Sequence, residues 1–207
     1  MGNNKKHFQL FNRIASIYGL YYRMQKKRYK KVLNQVRDVI DISQYENIID
    51  IGCGTGAMCE ALYQEALTVT GLDPASKMLR VARKRTSDDI TYINRDVLDQ
   101  TWIEEDLYDI AFASYVAHGL KKDDRLTMIK HMSVMAESYV ILHDYNKNRN
   151  ALTSFVEWAE GGDYSYFIDH VLNELRDCKV ADKHCFESIE VIDVGKRASW
   201  YICKIKK

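Results

Sequence analysis

The sequence predicts an α/β fold: a mostly parallel sheet of seven strands, helices on both faces, and an antiparallel hairpin at its C-terminal end. Three observations carry this. From residue 47 onward, short apolar runs alternate with helically spaced apolar residues. A glycine-rich turn, Gly52-Cys53-Gly54-Thr55-Gly56, joins the first strand-like run to a helix. The last two runs are separated only by Gly195-Lys196-Arg197, which leaves no room for a helical crossover.

The elements follow in order. Residues 6–40 carry apolar groups at helical spacing (Phe8, Phe11, Ile14 or Ala15, Tyr18, Tyr21 or Tyr22, then Val32, Val36 and Ile40), with Gly19 expected to separate two helices. Asn47–Ile51 reads as a short buried strand, and Met58, Ala61, Leu62 and Ala66 mark the helix after the glycines. Leu67–Leu72 is the second strand, ending at Asp73. Ser76 is the expected cap of the next helix, with Met78, Leu79 and Ala82 inward. Ile90–Asn94 is the third strand and Tyr108–Ser114 the fourth. A helix through Leu126, Ile129 and Met132 leads to a fifth, Tyr139–His143. The terminal hairpin pairs Ile189–Val194 with Ser199–Ile205.

The chain has one proline, Pro74, and no repeat or Gly/Ser/Pro-rich linker. The expectation is one domain over residues 1–207, with a helical extension at 1–44 and an aromatic insertion at 145–184. Both read as lids over an acceptor; helix packing is the other reading of the insertion.

Composition narrows the function. With 207 residues, 46% of them hydrophobic and 29% charged, the chain can bury a real core and is not a disordered one. Its longest mostly apolar run, Ile110–Ala117, is far short of the roughly 20 residues of a membrane helix. The N-terminus shows neither a signal region nor a myristoylation pattern. The five cysteines are odd in number and form no CxxC pair, which argues against a disulfide framework or a zinc site. A cytoplasmic location, no metal and no membrane span are expected. The net charge of +1 gives no global field to recruit nucleic acid. Charge is nevertheless lopsided, since residues 1–31 hold nine Lys/Arg and no Asp or Glu. Lys26, Lys27, Arg28, Lys30 and Lys31 read either as the solvated face of a helix or as a surface for an anionic ligand.

The glycine turn fits both rival nucleotide readings. Gly52-x-Gly54-x-x-Ala57 matches the dinucleotide pattern, so the glycines show only that something approaches the backbone closely. Asp50 separates the readings. A carboxylate two residues before Gly52 repels a pyrophosphate and attracts a cation; S-adenosylmethionine carries an ammonium and a sulfonium and no phosphate. Asp73, at the end of the second strand, suits two ribose hydroxyls. Asp96, past the third, suits an adenine amine, with the backbone N–H of Val97 serving a ring nitrogen.

With these residues in place, the chain resembles the class I, Rossmann-like S-adenosylmethionine-dependent methyltransferases. Asp50-Ile51-Gly52-Cys53-Gly54-Thr55-Gly56 resembles their first motif, and Gly71-Leu72-Asp73-Pro74-Ala75-Ser76-Lys77-Met78-Leu79 their acidic second. Asn94-Arg95-Asp96-Val97 and Tyr108-Asp109-Ile110-Ala111-Phe112-Ala113-Ser114 resemble the third and fourth. Phe11-x-x-Ile14-Ala15-x-x-Tyr18 is similar to the leading helix of the small-molecule, ubiquinone/menaquinone C-methylase type, although Gly19 stands where an Asp is usual. The resemblance implies a seven-stranded Rossmann-like sheet and S-adenosyl-L-methionine as cofactor. It implies cofactor contacts from Tyr18, Asp50, Gly52, Cys53, Gly54, Gly56, Asp73, Pro74, Met78, Asp96, Val97, Ser114 and Tyr115.

Methyl transfer is an in-line displacement at a cationic sulfur, so the protein mainly positions the nucleophile and excludes water. A base is needed only where the nucleophile must lose a proton. Tyr115, His118 and His143 are the catalytic candidates, with Asp144 and Tyr145 beside them; the remaining histidines read as surface residues. Phe11, Tyr22, His118, His143, Tyr145 and Trp158 are the expected acceptor pocket. Ser114-Tyr115-Val116-Ala117 lacks the proline-containing motif of nucleic-acid amino-methyltransferases. The expected acceptor is therefore a small molecule, handled by a monomer or homodimer without nucleic acid. An RNA- or protein-modifying methyltransferase, a non-catalytic cofactor binder and an NAD-dependent oxidoreductase are the alternatives.

Overall fold

The computed structural model describes residues 21–66, 68–103, 107–148 and 163–206. Phe11, Tyr18 and Trp158, and the Gly19 break, lie outside them. The architecture is a seven-stranded, mostly parallel α/β sheet of Rossmann-like type with an antiparallel C-terminal hairpin. The chain forms two compact units, Met1–Val97 and Leu98–Lys207.

In the first unit, helix α1 (described over 21–36) buries Tyr22, Tyr29, Val32, Leu33 and Val36 along one stripe. Strand β1 (Asn47–Ile51) is buried from Ile48 onward, the mark of a strand covered on both faces. It pairs in parallel with β2 (Thr68–Leu72), Ile51 opposite Leu72, and β2 pairs in parallel with β3 (Thr91–Ile93). Helices α2 (Ala57–Tyr63) and α3 (Ser76–Arg83) follow β1 and β2. Ser76 does not cap α3; it is the first helical residue, and no side chain caps from the preceding Ala75. Asp73 serves that end instead, its Oδ1 accepting the Ala75 N–H at 2.7 Å.

In the second unit, β4 (Tyr108–Ser114) runs parallel to β5 (Ala136–Tyr145), with Ser114 opposite His143. Strand β5 starts earlier than the periodicity suggests because it leaves helix α4 (Lys122–Met135) without a loop. His131 on α4 is buried, not a surface residue. Within the insertion lie helix α5 (Tyr164–Asp177) and a small hairpin of β6 (Lys179–Val180) and β7 (Lys183–His184). That hairpin escaped the sequence reading because its turn residues, Ala181 and Asp182, take left-handed φ values of 47° and 65° with no glycine or asparagine to announce them. Strand β9 (Ala198–Ile205) pairs antiparallel with β5 and with β8 (Phe186–Gly195), turning at Lys196-Arg197. Trp200 fills the core edge-on to Phe112, ring centroids 5.1 Å apart. No helix among the described residues is long and apolar enough to cross a membrane.

Candidate functional site

The glycine turn of the first unit is held from behind. Gly52, Gly54 and Gly56 take φ values of 68°, 53° and 77°. An added Cβ on Gly56 would sit 2.5 Å from the Tyr92 hydroxyl and 2.9 Å from Thr86, whose hydroxyls bond each other at 2.9 Å. Gly56 is therefore required by packing as well as by backbone conformation. Gly54 differs: nothing lies within 4 Å of its Cβ position, so its open side is where a ligand can approach the backbone. Tyr92 and Thr86 were missed in the sequence because neither belongs to a motif.

The hydrogen bonding of this turn decides what it can hold. Gly52 and Cys53 donate their N–H groups to the Leu72 carbonyl at 2.7 and 3.0 Å. Gly54 donates to Asp73 Oδ2 at 2.9 Å, and Gly56 to the Cys53 carbonyl at 3.0 Å. A phosphate cradle presents its amides to the anion; here these four amides are already engaged by the protein, and carboxylates line the turn.

Asp50 is fully buried. Its Oδ2 accepts from the Cys59 thiol at 3.2 Å, while Oδ1 has no hydrogen-bond partner among the described residues. Burial pushes its carboxyl up to about 7, and neighbouring Asp73 adds to the rise. Burial likewise raises Asp73, to about 6, against the hydrogen bonds from Ala75 and Gly54, and Asp96 contributes further. Asn94 fixes the strand end by donating to the Asp73 carbonyl at 2.8 Å. Pro74 is half-buried, Met78 packs against Ala75, and Val97 is buried. Cys53 is buried in the turn, which pushes its thiol up to about 11. The first unit thus gathers Asp50, the three glycines, Asp73 and their supports, with Asp50 Oδ1 lacking a hydrogen-bond partner among the described residues.

The second unit gathers the strand-end candidates. Tyr115 follows β4 at φ 55°, a left-handed conformation rare for a bulky residue and a mark of a functional or strained position. Its N–H bonds the His143 carbonyl at 2.8 Å. A short 3-10 turn (Ala117–Gly119) then carries His118. His118 Nδ1 lies 2.7 Å from Asp144 Oδ1, and Asp144 also accepts the backbone N–H groups of Tyr145 at 2.8 Å and of His118 at 3.3 Å. Rings surround the imidazole: Tyr145 at 4.7 Å, Tyr115 and Tyr164 at 6.4 Å, and Phe167 at 6.5 Å. His143 is enclosed by Tyr115 at 4.9 Å and Trp200 at 6.2 Å. Tyr22, by contrast, belongs to the first unit and packs beneath Arg85, 5.8 Å from its ring centroid.

One support of this cluster was not read from sequence. Arg125, fully buried on α4, donates to Glu174 Oε2 and Oε1 at 2.7 and 2.9 Å and to the Leu120 carbonyl at 2.6 Å. It ties α5 to the turn that carries His118. A single arginine in a helix looks like surface until the acid 49 positions later in the chain is known to face it.

Comparison with known proteins agrees with this architecture. Residues 48–137 match the model of a methyltransferase domain. A malonyl-[acyl-carrier protein] O-methyltransferase of Bacillus cytotoxicus is 28% identical over 142 residues, 67% of this chain and 49% of its own length. A demethylmenaquinone methyltransferase of Thermotoga maritima is 39% identical over 95 residues, 42% of this chain and 40% of its own. The chain therefore spans about half the length of the curated relatives it matches. Among solved structures, the magnesium protoporphyrin IX methyltransferase of Synechocystis, with bound S-adenosylmethionine, superposes with a TM-score of 0.58 at 17% identity, covering 88% of this chain and 80% of that one.

Proposed function

We propose that this chain, whose residues 48–137 match the model of a methyltransferase domain, is an enzyme that moves a methyl group from S-adenosylmethionine to a small-molecule acceptor. The observation that carries the reading is the glycine turn: its amides are engaged, its lining is acidic, and Asp50 Oδ1 lacks a hydrogen-bond partner among the described residues. Such a cradle suits a cationic nucleoside and disfavours a pyrophosphate.

When bound, the cofactor supplies a methyl group on a positively charged sulfur. Asp50 faces the ammonium end, Asp73 accepts the ribose hydroxyls through its remaining lone pairs, and Asp96 with the Val97 amide serves the adenine. Gly54 leaves room for close approach. His118 is the group assigned to take a proton when the acceptor attacks through O–H or N–H, with Asp144 holding its tautomer. The acceptors in the relatives' names, malonyl-[acyl-carrier protein] and demethylmenaquinone, support a metabolite or a metabolite-derived group and leave its identity open.

The test offers methyl-labelled S-adenosylmethionine to a fractionated extract of the source cells together with the protein. Label entering the low-molecular-weight pool supports the reading. Label entering RNA or protein assigns the alternative macromolecular acceptor, and no transfer despite tight cofactor binding assigns a non-catalytic binder.

A further inference from the structure

The first unit holds an open cleft of about 690 Å³, lined by Arg23, Lys26, Lys27, Lys30, Lys84 and Arg85 together with Tyr22. We propose that this cleft is a binding site for a small ligand bearing two or more phosphate groups, independent of the methyl-transfer reading above.

Three observations converge on it. The α1 cations stand at positions i, i+3, i+4 and i+7 (Arg23, Lys26, Lys27 and Lys30), which places them on one face of the helix. Like charges at that spacing repel and weaken a helix. Second, Lys84 and Arg85, just beyond α3, bring the same sign of charge to the same cleft from another element. Third, the compensation is small. Lys26 pairs with Glu60 at 3.0 Å, and Glu60 is itself engaged by Gln64 and the Ser87 N–H. Among the described residues, Arg23, Lys27, Lys30 and Lys84 pair with no carboxylate, and residues 1–31 contain no acid to supply one.

Repulsion among six cations in one concavity is relieved by a counter-anion of matching valence. Compact ammonium groups and two guanidinium forks match phosphate oxygens. The volume of this open cleft is in the range of small-ligand pockets.

Calorimetric titration at physiological salt with orthophosphate, pyrophosphate and tripolyphosphate tests this. The expected result is one saturable site, tightening with the number of phosphates and weakening as salt rises. Lys27→Glu and Lys84→Glu, both on exposed positions, should each weaken tripolyphosphate binding roughly tenfold or more, with a melting temperature no lower than the parent's, whereas Lys179→Glu in the second unit should leave binding unchanged. Saturation with S-adenosylhomocysteine should leave the site available. The proposal is overturned by absence of tripolyphosphate binding, by binding that ignores both substitutions, or by competition with S-adenosylhomocysteine. Preference for single-stranded RNA, with affinity growing with its length, would overturn it in favour of a nucleic-acid surface.

Discussion

His118 Nδ1 and Asp144 Oδ1 lie 2.7 Å apart, and the same carboxylate accepts two backbone N–H groups. A carboxylate that already accepts two backbone N–H groups is an acceptor toward the ring as well, which favours the tautomer with its proton on Nδ1 and Nε2 as the basic nitrogen. If the acceptor attacks through O–H or N–H, His118→Gln should lower kcat by about 10²–10⁴ and abolish the acidic limb of the pH–rate profile. Asp144→Asn should shift that limb while leaving cofactor affinity unchanged. An intact limb in His118→Gln would remove His118 from proton transfer.

Asp73 holds the glycine turn as well as facing the expected nucleoside, through Gly54 and Ala75 N–H groups at 2.9 and 2.7 Å. Asp73→Ala should therefore weaken S-adenosylhomocysteine binding by about 1.5–3 kcal/mol and also lower the melting temperature. Calorimetry and thermal melting of the same preparation check both, and unchanged affinity would take Asp73 out of the site.

The two inner glycines predict opposite balances of effect. Gly56→Ala meets the Tyr92 hydroxyl and should act mainly on stability, whereas Gly54→Ala, with open space at its Cβ, should act on ligand affinity beyond its backbone strain of about 1–2 kcal/mol. Denaturant unfolding with and without S-adenosylhomocysteine separates the two; equal effects of both substitutions on affinity would contradict the assignment.

Burial holds the Asp50 and Asp73 carboxyls at about 7 and 6, above the ordinary value of 3.8. The folded protein then binds more protons than the unfolded chain between those values, so this contribution to stability is greatest at low pH and is lost as pH rises to about 7. Ligand affinity should move the other way, strengthening as pH rises through 6 to 7 and Asp50 becomes an anion for the ammonium. Melting curves of the ligand-free protein should show a shallower fall with pH in Asp50→Asn than in the parent. Parallel curves would contradict the buried-acid account.

Arg125 and Glu174 form a buried pair at 2.7 and 2.9 Å. Arg125→Met alone should cost about 3–5 kcal/mol by stranding Glu174, and Arg125→Met with Glu174→Met should recover much of it. A double variant no more stable than the single one would show that the pair's main service is to the Leu120 carbonyl.

Much of this was legible in the chain because it depends on local pattern. Asn47–Ile51 and Tyr108–Ser114 appear with the predicted bounds, since continuous apolar runs beside turn residues specify buried parallel strands. Asp50, Gly54 and Asp73 were legible as chemistry at fixed offsets from one turn. What escaped depends on the third dimension. The Tyr92–Thr86 support of Gly56, the Arg125–Glu174 pair and the left-handed Ala181-Asp182 turn join residues whose types carry no local signal. Ser76 misled because a serine before an apolar periodicity usually caps, and here Asp73 already satisfies that helix end.

The central claim is the choice of ligand by the glycine turn, and the most direct measurement is thermal unfolding with S-adenosylmethionine, S-adenosylhomocysteine and NADH in parallel. A ligand that binds only the folded state stabilises it by about 2.7 kcal/mol at a hundredfold excess over Kd. Both adenosyl ligands should raise the melting temperature, less so in Asp50→Asn and Asp73→Ala, and NADH should give no shift. A shift with NADH and none with either adenosyl ligand would contradict it.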